Sequence, residues 1–249
     1  MLVTINKGGQ NFRVDFSAPI DLSIPIMSGK ENVNAFYMGP VTYEAFEMGS
    51  FVGDVNRGGS CNVNTITINP HGNGTHTETV GHISKEKYPI RECLKNFFFF
   101  AKLITVTPEK KESDLVLSLD MLKSIDFTDI EALIIRTLPN SNDKKTRQYS
   151  GTNPPYMTSE AAAFLRLAGI KHLLLDVPSI DREDDGGELS AHHAFWNYPF
   201  APRVDCSISE LIYVENQEKD GFYLLNLQFL AFDNDASPSR PILYALSPI

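Results

Sequence analysis

The chain has 249 residues, of which 42% are hydrophobic and 21% charged, a composition typical of a globular protein that needs neither disulfides nor a structural metal to fold. Its 31 acidic residues outnumber its 22 basic ones and give a formal charge of −9, which argues against nucleic acid as a partner. The three cysteines are widely spaced and form no CxxC pattern, so we expect a reducing, cytoplasmic location. The first residues carry no apolar targeting segment, and no stretch approaches the ~18 apolar residues of a membrane span, so no membrane partner is expected.

The first part of the chain predicts short strands separated by turns. Alternating apolar and polar residues predict strands over 12–16 and 20–26, and alternating β-branched residues predict another over 62–68. Since Pro70 follows that strand, we expect residues 71–82 to form a loop directly after it. Loops in such a position commonly carry catalytic groups.

The second part of the chain predicts helices in alternation with strands. Apolar runs predict buried strands over 96–107, 132–135 and 170–176. A further apolar run predicts a late strand or strand pair over 221–232. Helical patterns and termini predict three helices: 118–125, 160–168 and 191–196. For the second helix we expect Ser159 as the N-cap and Gly169 in the left-handed position at its end. The polar stretch 140–152 is expected to be a solvated surface loop.

This order of elements predicts an α/β fold with a mixed, partly parallel sheet, or a barrel-like sheet, flanked by helices. No internal repeat and no linker composition interrupts the chain. We therefore expect residues 1–249 to form a single domain.

The histidines are unevenly placed along the chain. Three of them, with one carboxylate, share the window 71–82, two more are adjacent at 192–193, and His172 stands alone. Imidazoles and a carboxylate are ligands that Zn²⁺ and Mn²⁺ favour, and the glycines of the window let side chains converge. If the window is extended, His76 and Glu78 point to the same side and can share an ion. The alternative is a set of polar loop residues with separate hydrogen-bonding roles.

Other kinds of site are not supported. The sequence has no GxSxG elbow, no P-loop and no complete dinucleotide fingerprint, so no organic cofactor is implied. His172 begins an apolar strand and is expected to be a core or surface histidine.

The segment Gly74-Thr75-His76-Thr77-Glu78, followed by His82, resembles the HxGTHxDxPxH signature of the metal-dependent cyclase family that includes bacterial kynurenine formamidases. Further segments resemble family elements in the same order: 20–23, 134–137, 169–181, and His192 followed by Glu210 and Leu211. The similarity thus covers roughly residues 20 to 212. It implies the family's cyclase fold, of the swivelling β/β/α type.

The resemblance also implies a set of site residues around one or two divalent ions, Zn²⁺ or Mn²⁺: His71 and His76 bind one ion, Glu78 bridges, His192 and Glu210 bind the second, and His82 transfers protons. Adjacent residues of a regular element point apart, so only one of His192 and His193 is expected to contribute; we favour His192, and His193 is the alternative. Asp176 and Asp181 either orient ligands or serve as caps.

The chain departs from the family signature at three places. His71 lies five residues before His76, where the family has four, so the extra residue either bulges out or removes His71 from the ion. Glu78 replaces an aspartate, and Val80 replaces a proline.

The function predicted from these residues is a metal-dependent hydrolase that cleaves a C–N amide-type bond of a small molecule with metal-activated water. By resemblance, the substrate is an N-formyl arylamine or a cyclic amide, and the assembly is a homo-oligomer, either a dimer or a tetramer. One alternative is a non-catalytic or sensory metal-binding protein with the same fold. The other is a structural protein without a metal.

Overall fold

The computed structural model of the chain describes residues 1–249. Its strands, in chain order, are β1 (Leu2–Lys7), β2 (Gln10–Asp15), β3 (Ile20–Asp21), β4 (Thr42–Ala45), β5 (Glu47–Met48), β6 (Phe51–Val52), β7 (Asn64–Thr67), β8 (His76–Glu78), β9 (Phe98–Val106), β10 (Glu109–Lys111), β11 (Asp114–Leu117), β12 (Ala132–Thr137), β13 (Tyr156–Met157), β14 (His172–Leu175), β15 (Ser207–Glu210), β16 (Gly221–Asn226), β17 (Ala236–Pro238) and β18 (Ile242–Pro248). The α-helices are α1 (Ile90–Cys93), α2 (Leu119–Leu122), α3 (Ser159–Leu167) and α4 (Ser190–Trp196), and short 3-10 helices span Val55–Arg57, Val80–His82 and Asn142–Lys145. None of the helices has the length and apolar character needed to cross a lipid bilayer.

Eleven strands form one mixed sheet, in the order β1-β2-β18-β16-β9-β12-β14-β15-β8-β17, with β3 paired to β18. The four central strands β9, β12, β14 and β15 run parallel to one another, and the strands on both sides of them are antiparallel. This architecture confirms the predicted mixed, partly parallel sheet flanked by helices.

Strands β12, β14 and β15 are buried on both faces, which explains the continuous apolar runs of β12 and β14. Alternate residues of β12 enter two cores: Leu133 and Ile135 pack with the helices, whereas Ile134 packs on the opposite face. On the helical side, Leu165 of α3 and Trp196 of α4 are completely buried against the sheet. The parallel strands therefore form a rigid layer whose carboxyl ends all meet one edge.

Helix α3 follows its predicted sequence signals closely. It spans Ser159–Leu167, and Gly169 has a φ of +85°, the left-handed conformation expected after its end. The predicted N-cap is wrong by one residue, because the hydroxyl of Thr158, not that of Ser159, accepts the backbone N–H of Ala161 at 3.3 Å.

Several predicted segments differ from the structure. The window 71–82 is not entirely a loop, because residues 76–78 form β8 between two partner strands. The predicted strand 20–26 is regular only at Ile20–Asp21, and the late strand or strand pair predicted over 221–232 is a single strand that ends at Asn226. These errors concern strands whose pairing partners lie far away in the sequence.

The segment 140–152 is not a fully solvated loop. Lys144 is 4% exposed, and its ammonium group contacts Oδ2 of Asp176 at 2.8 Å and the carbonyl oxygen of Thr137 at 2.8 Å. Burial raises the pKa of the Asp176 carboxyl in spite of this ammonium group. The segment is therefore tied to the carboxyl end of the sheet by a buried ion pair.

Candidate metal centre

Strand pairing places the first group of polar side chains. In the antiparallel register of β8 and β15, His76 lies opposite Glu210 and Glu78 lies opposite Ile208. Because side chains alternate along a strand, His76 and Glu78 project from the same face. Nε2 of His76 is 3.3 Å from Oε2 of Glu210, and all three side chains are buried.

Helix α4 places His192 against the same carboxylate. Nε2 of His192 lies 3.0 Å from Oε1 of Glu78 and 3.8 Å from Oε1 of Glu210. On the other side of the ring, Nδ1 of His192 donates to Oδ2 of Asp181 at 2.6 Å. The neighbouring His193 points away from the site, and its Nδ1 donates to the carbonyl oxygen of Tyr198 at 3.1 Å. The structure thus brings His192 into the cluster and leaves His193 outside it.

The extra residue before His76 is absorbed in the turn that leads into β8. Gly74 has a φ of +153°, a backbone conformation that favours glycine, and a Cβ on Gly72 would lie 2.8 Å from the carbonyl oxygen of Ala35. This turn brings Nδ1 of His71 to 3.0 Å from Oε2 of Glu78. His71 therefore reaches the same carboxylate as His192, despite its shift in the sequence.

The inner atoms of the cluster have the geometry expected around a cation. Three ring nitrogens face Glu78 and Glu210, namely Nδ1 of His71, Nε2 of His76 and Nε2 of His192. Nε2 of His76 and Oε2 of Glu78 are buried and make no well-aligned hydrogen bond, although Oε2 of Glu210 and Nδ1 of His71 lie 3.3 Å and 3.0 Å from them, respectively. A divalent cation would satisfy both atoms, so the residues present fit a metal ion.

The outer nitrogens of the same rings are held by acceptors outside the cluster. Nδ1 of His76 donates to the carbonyl oxygen of Gly74 at 3.0 Å, and Nδ1 of His192 donates to Asp181. Histidine ligands of metal ions usually donate the other ring N–H in this way, which fixes the tautomer and the orientation of the ring. Both rings therefore direct their Nε2 atoms inward.

The electrostatics of the ion-free cluster are those of imidazolium–carboxylate pairs. Burial lowers the pKa of His192, but Asp181 and Glu78 outweigh it and raise the pKa to about 10. Burial likewise lowers the pKa of His71, and the nearby carboxylates raise it to about 10. Burial acts to raise the pKa of Glu78, yet the surrounding histidines hold it well below its usual range. The carboxylates thus favour positive charge at these rings, which a bound cation would also supply.

His82 lies at the edge of the cluster and lines a cavity of about 270 Å³. Its side chain is 28% exposed, and its Nδ1 is 3.7 Å from Oε2 of Glu78. Phe36 and Leu189 form part of the cavity wall, and both have left-handed backbone conformations, with φ values of 57° and 45°. Such conformations cost roughly 1–3 kcal/mol each and often occur at functional sites. The cavity therefore gives a small molecule access to His82 and Glu78.

Sequence reasoning missed one member of the cluster. Oδ2 of Asp235, in the segment just before β17, is 3.0 Å from Nε2 of His71 and 3.6 Å from Nδ1 of His82. No local motif marks this aspartate, because the pairing of β17 with β8 alone brings it here. Asp176, considered above as a residue that orients a ligand, pairs with Lys144 instead, whereas Asp181 does contact a histidine of the cluster.

Two curated bacterial proteins resemble this chain over most of their length. The chain is 26% identical to the kynurenine formamidase of Bacillus cytotoxicus over 189 residues, which cover 76% of this chain and 82% of the relative. It is 27% identical to the kynurenine formamidase of Bacillus mycoides over 190 residues, 74% of this chain and 81% of the relative.

Solved structures share the fold at low sequence identity. A protein described as a potential metal-dependent hydrolase with cyclase activity superposes with a TM-score of 0.67 at 16% identity, covering 91% of this chain and 97% of that one. Isatin hydrolase A from Labrenzia aggregata superposes with a TM-score of 0.63 at 15% identity, covering 92% and 93%. The sequence model of the family described as "Putative cyclase" matches residues 14–182, more than half of the chain. The chain therefore belongs to this cyclase family.

Proposed function

We propose that this protein is a metal-dependent hydrolase that cleaves a C–N amide-type bond of a small molecule. The observation that carries the proposal is the convergence of three inner ring nitrogens on two buried carboxylates, where Nε2 of His76 and Oε2 of Glu78 make no well-aligned hydrogen bond. Relatives named kynurenine formamidase and the isatin hydrolase fold support an aryl formamide or a cyclic amide as the substrate.

The proposed ligands form two overlapping groups. His71, His76 and Glu78 offer three donor atoms within 4.8 Å of one another, and a second trio consists of Glu78, His82 and His192. Glu78 is common to both, which supports its role as a bridge between two ions, and Glu210, whose Oε1 lies 3.8 Å from Nε2 of His192, would complete the second site. Imidazole and carboxylate donors suit either Zn²⁺ or Mn²⁺.

A divalent cation at this place supplies Lewis acidity, which makes hydroxide available near neutral pH and polarises a carbonyl group. The protein contributes position and proton transfer. Glu78 and Glu210 would hold the cation, and the rings of His76 and His192 are fixed by their outer hydrogen bonds. His82 lines the cavity and is placed to hold the proton that a leaving nitrogen requires.

The test compares two histidine variants of the purified, Zn²⁺- or Mn²⁺-loaded protein on a panel of N-formyl arylamines and cyclic amides. His82→Ala is expected to lower kcat by about 10²- to 10⁴-fold, the usual contribution of a proton-transfer group. His193→Asn is the control, because that residue lies outside the cluster, and kcat should stay within twofold of wild type.

Elemental analysis separates the alternatives. Stoichiometric metal without turnover of any compound in the panel would favour the sensory metal-binding protein. Protein without metal after loading would overturn the proposal and favour a structural role.

Three further properties of the chain belong to the proposal. We infer a single domain, since one sheet combines strands from both ends of the chain, and a cytoplasmic location, since all three cysteines are free. We also infer a homo-oligomer, which the exposed apolar side chains Met48 and Ile66 near the β4–β7 pair support. Light scattering of the purified protein tests the oligomer, and a monomeric mass would contradict it.

A further inference from the structure

Asp235 is the one carboxylate of the cluster that the proposed ligand set does not use. Its backbone carbonyl oxygen accepts the N–H of Thr79 at 3.1 Å and the hydroxyl of Thr79 at 3.2 Å, which anchors it directly after the end of β8. Its side chain is 25% exposed and turned toward the two histidines at the edge of the site. The residue lies beyond the segment that the family's sequence model matches.

We propose that Asp235 is a positioning residue for His71, which holds the ring so that Nδ1 faces the metal ion. This inference rests on the proposed function, because it assigns His71 as a ligand. The carboxylate oxygen lies 3.0 Å from Nε2 of His71 on the side of the ring opposite Glu78. The 3.6 Å distance to Nδ1 of His82 is longer than a hydrogen bond, so His71 is the partner.

The same arrangement occurs at the other histidines of the cluster. Asp181 contacts the outer nitrogen of His192, and the carbonyl oxygen of Gly74 accepts from the outer nitrogen of His76. In each case an acceptor on the outer side of the ring leaves the inner nitrogen free for a cation. Asp235 supplies this acceptor to His71, which completes the pattern for all three rings.

His71 needs such support more than the other two histidines do. It precedes β8 and is carried by a turn with one residue more than the family signature, whereas His76 lies in a strand and His192 in a helix. Its side chain is 21% exposed, its ring lies against that of His82 with the centroids 4.4 Å apart, and its two ring nitrogens face Glu78 and Asp235. Asp235 is therefore the contact that holds the outer nitrogen of His71.

Co²⁺ binding tests this proposal without reference to enzymatic activity. The affinity of the metal-free protein for Co²⁺ is measured by competition with a chromophoric chelator, and the visible spectrum of the loaded protein reports the ligand geometry. Asp235→Ala should weaken Co²⁺ binding by about 10- to 100-fold and change the visible spectrum. Asp235→Asn keeps an acceptor oxygen and the size of the side chain, so it should lose less affinity for Co²⁺ than Asp235→Ala does. Asp233→Asn is the control, because Asp233 pairs with Arg91 at the surface, and its affinity should equal that of wild type.

A double-mutant cycle decides whether Asp235 acts through His71. In a His71→Ala background, Asp235→Ala should weaken Co²⁺ binding by less than about twofold, because the ring that it positions is gone. The inference would be overturned, while the proposed function stands, if Asp235→Ala lowered Co²⁺ affinity equally in the wild-type and His71→Ala backgrounds. It would also be overturned if neither single variant lowered Co²⁺ affinity. If the wild-type protein binds no Co²⁺, both proposals fail.

Discussion

At the scale of single residues, the position of one carboxylate determines which ligands can share an ion. Glu78 contacts His71 through Oε2 and His192 through Oε1, each at 3.0 Å. The glutamate is one methylene longer than the aspartate of the family signature, and His71 is displaced by one residue. The longer side chain of Glu78 thus lets one carboxylate contact both histidines from a single position on β8.

Restoring the family aspartate should consequently harm the site. In Glu78→Asp the carboxylate withdraws by about one C–C bond, about 1.5 Å, and β8 cannot follow because strands pair with it on both sides. Misplacement of this size costs on the order of 10-fold or more in affinity, so Co²⁺ binding should weaken at least to that extent. Titration of Co²⁺ into the variant measures this loss of affinity. The exposed Glu86→Asp is the matched control, and tighter binding by Glu78→Asp would refute the argument.

At the scale of elements, the sequence predicts a helix or strand well where local signals, such as an apolar run or a helix cap, define it. The buried run of β12 and the cap and glycine of α3 are local signals, and both elements were predicted within two residues. β8 has three residues and no apolar pattern, so only its long-range pairing with β15 and β17 makes it a strand. His76 and Glu78 are two residues apart, so the sequence alone predicts that they lie on one face. Asp235 reaches them only through the long-range pairing of β17 with β8, which the sequence does not predict.

The segment 140–152 shows how composition alone misleads. Its charged residues are ordinary for a loop, yet Lys144 is buried against Asp176 while its neighbour Lys145 pairs with Glu215 at the surface. The sequence does not distinguish two adjacent lysines whose side chains point in different directions. What distinguishes Lys144 from Lys145 is the position of Asp176, which directly follows the carboxyl end of β14.

This difference predicts unequal effects of two equivalent substitutions. Lys144→Met leaves the buried Asp176 without its counter-charge and should lower the free energy of unfolding by about 3–5 kcal/mol. Lys145→Met removes a surface pair and should lower it by less than about 1 kcal/mol. Urea unfolding of both variants measures the difference. Equal midpoints would show that the segment is not held by the buried pair.

At the scale of the whole molecule, the cluster joins segments that are distant along the chain. Its histidines and carboxylates come from the turn before β8, from β8 itself, from β15 and from α4, and the segment before β17 completes it. A cation bound here would connect the helical layer with the end of the sheet. A ligand that binds only the folded state raises the free energy of unfolding, by about 2.7 kcal/mol at a ligand concentration of 100 times Kd.

The effect of a cation on stability should therefore depend on pH in a defined direction. In the ion-free fold the pKa values of His71 and His192 are raised to about 10, so their protons stabilise the fold below the unfolded value of 6.5 and this contribution is lost as pH rises toward 10. The same protons compete with the cation, so apparent affinity increases with pH. Stabilisation by a cation should thus be larger at pH 8 than at pH 6.

Thermal unfolding with Zn²⁺ or with a chelator, at both pH values, measures this effect. For a chain of this length each kcal/mol shifts Tm by roughly 2–4 °C, so saturation at about 100 times Kd should raise Tm by about 5–10 °C at pH 8. Glu78→Gln is the control, since it removes the charge shared by both proposed ion sites, and its Tm should not respond to Zn²⁺. A larger shift at pH 6 than at pH 8 would contradict the competition between protons and the cation, because histidines that must lose protons bind a cation less tightly in acid.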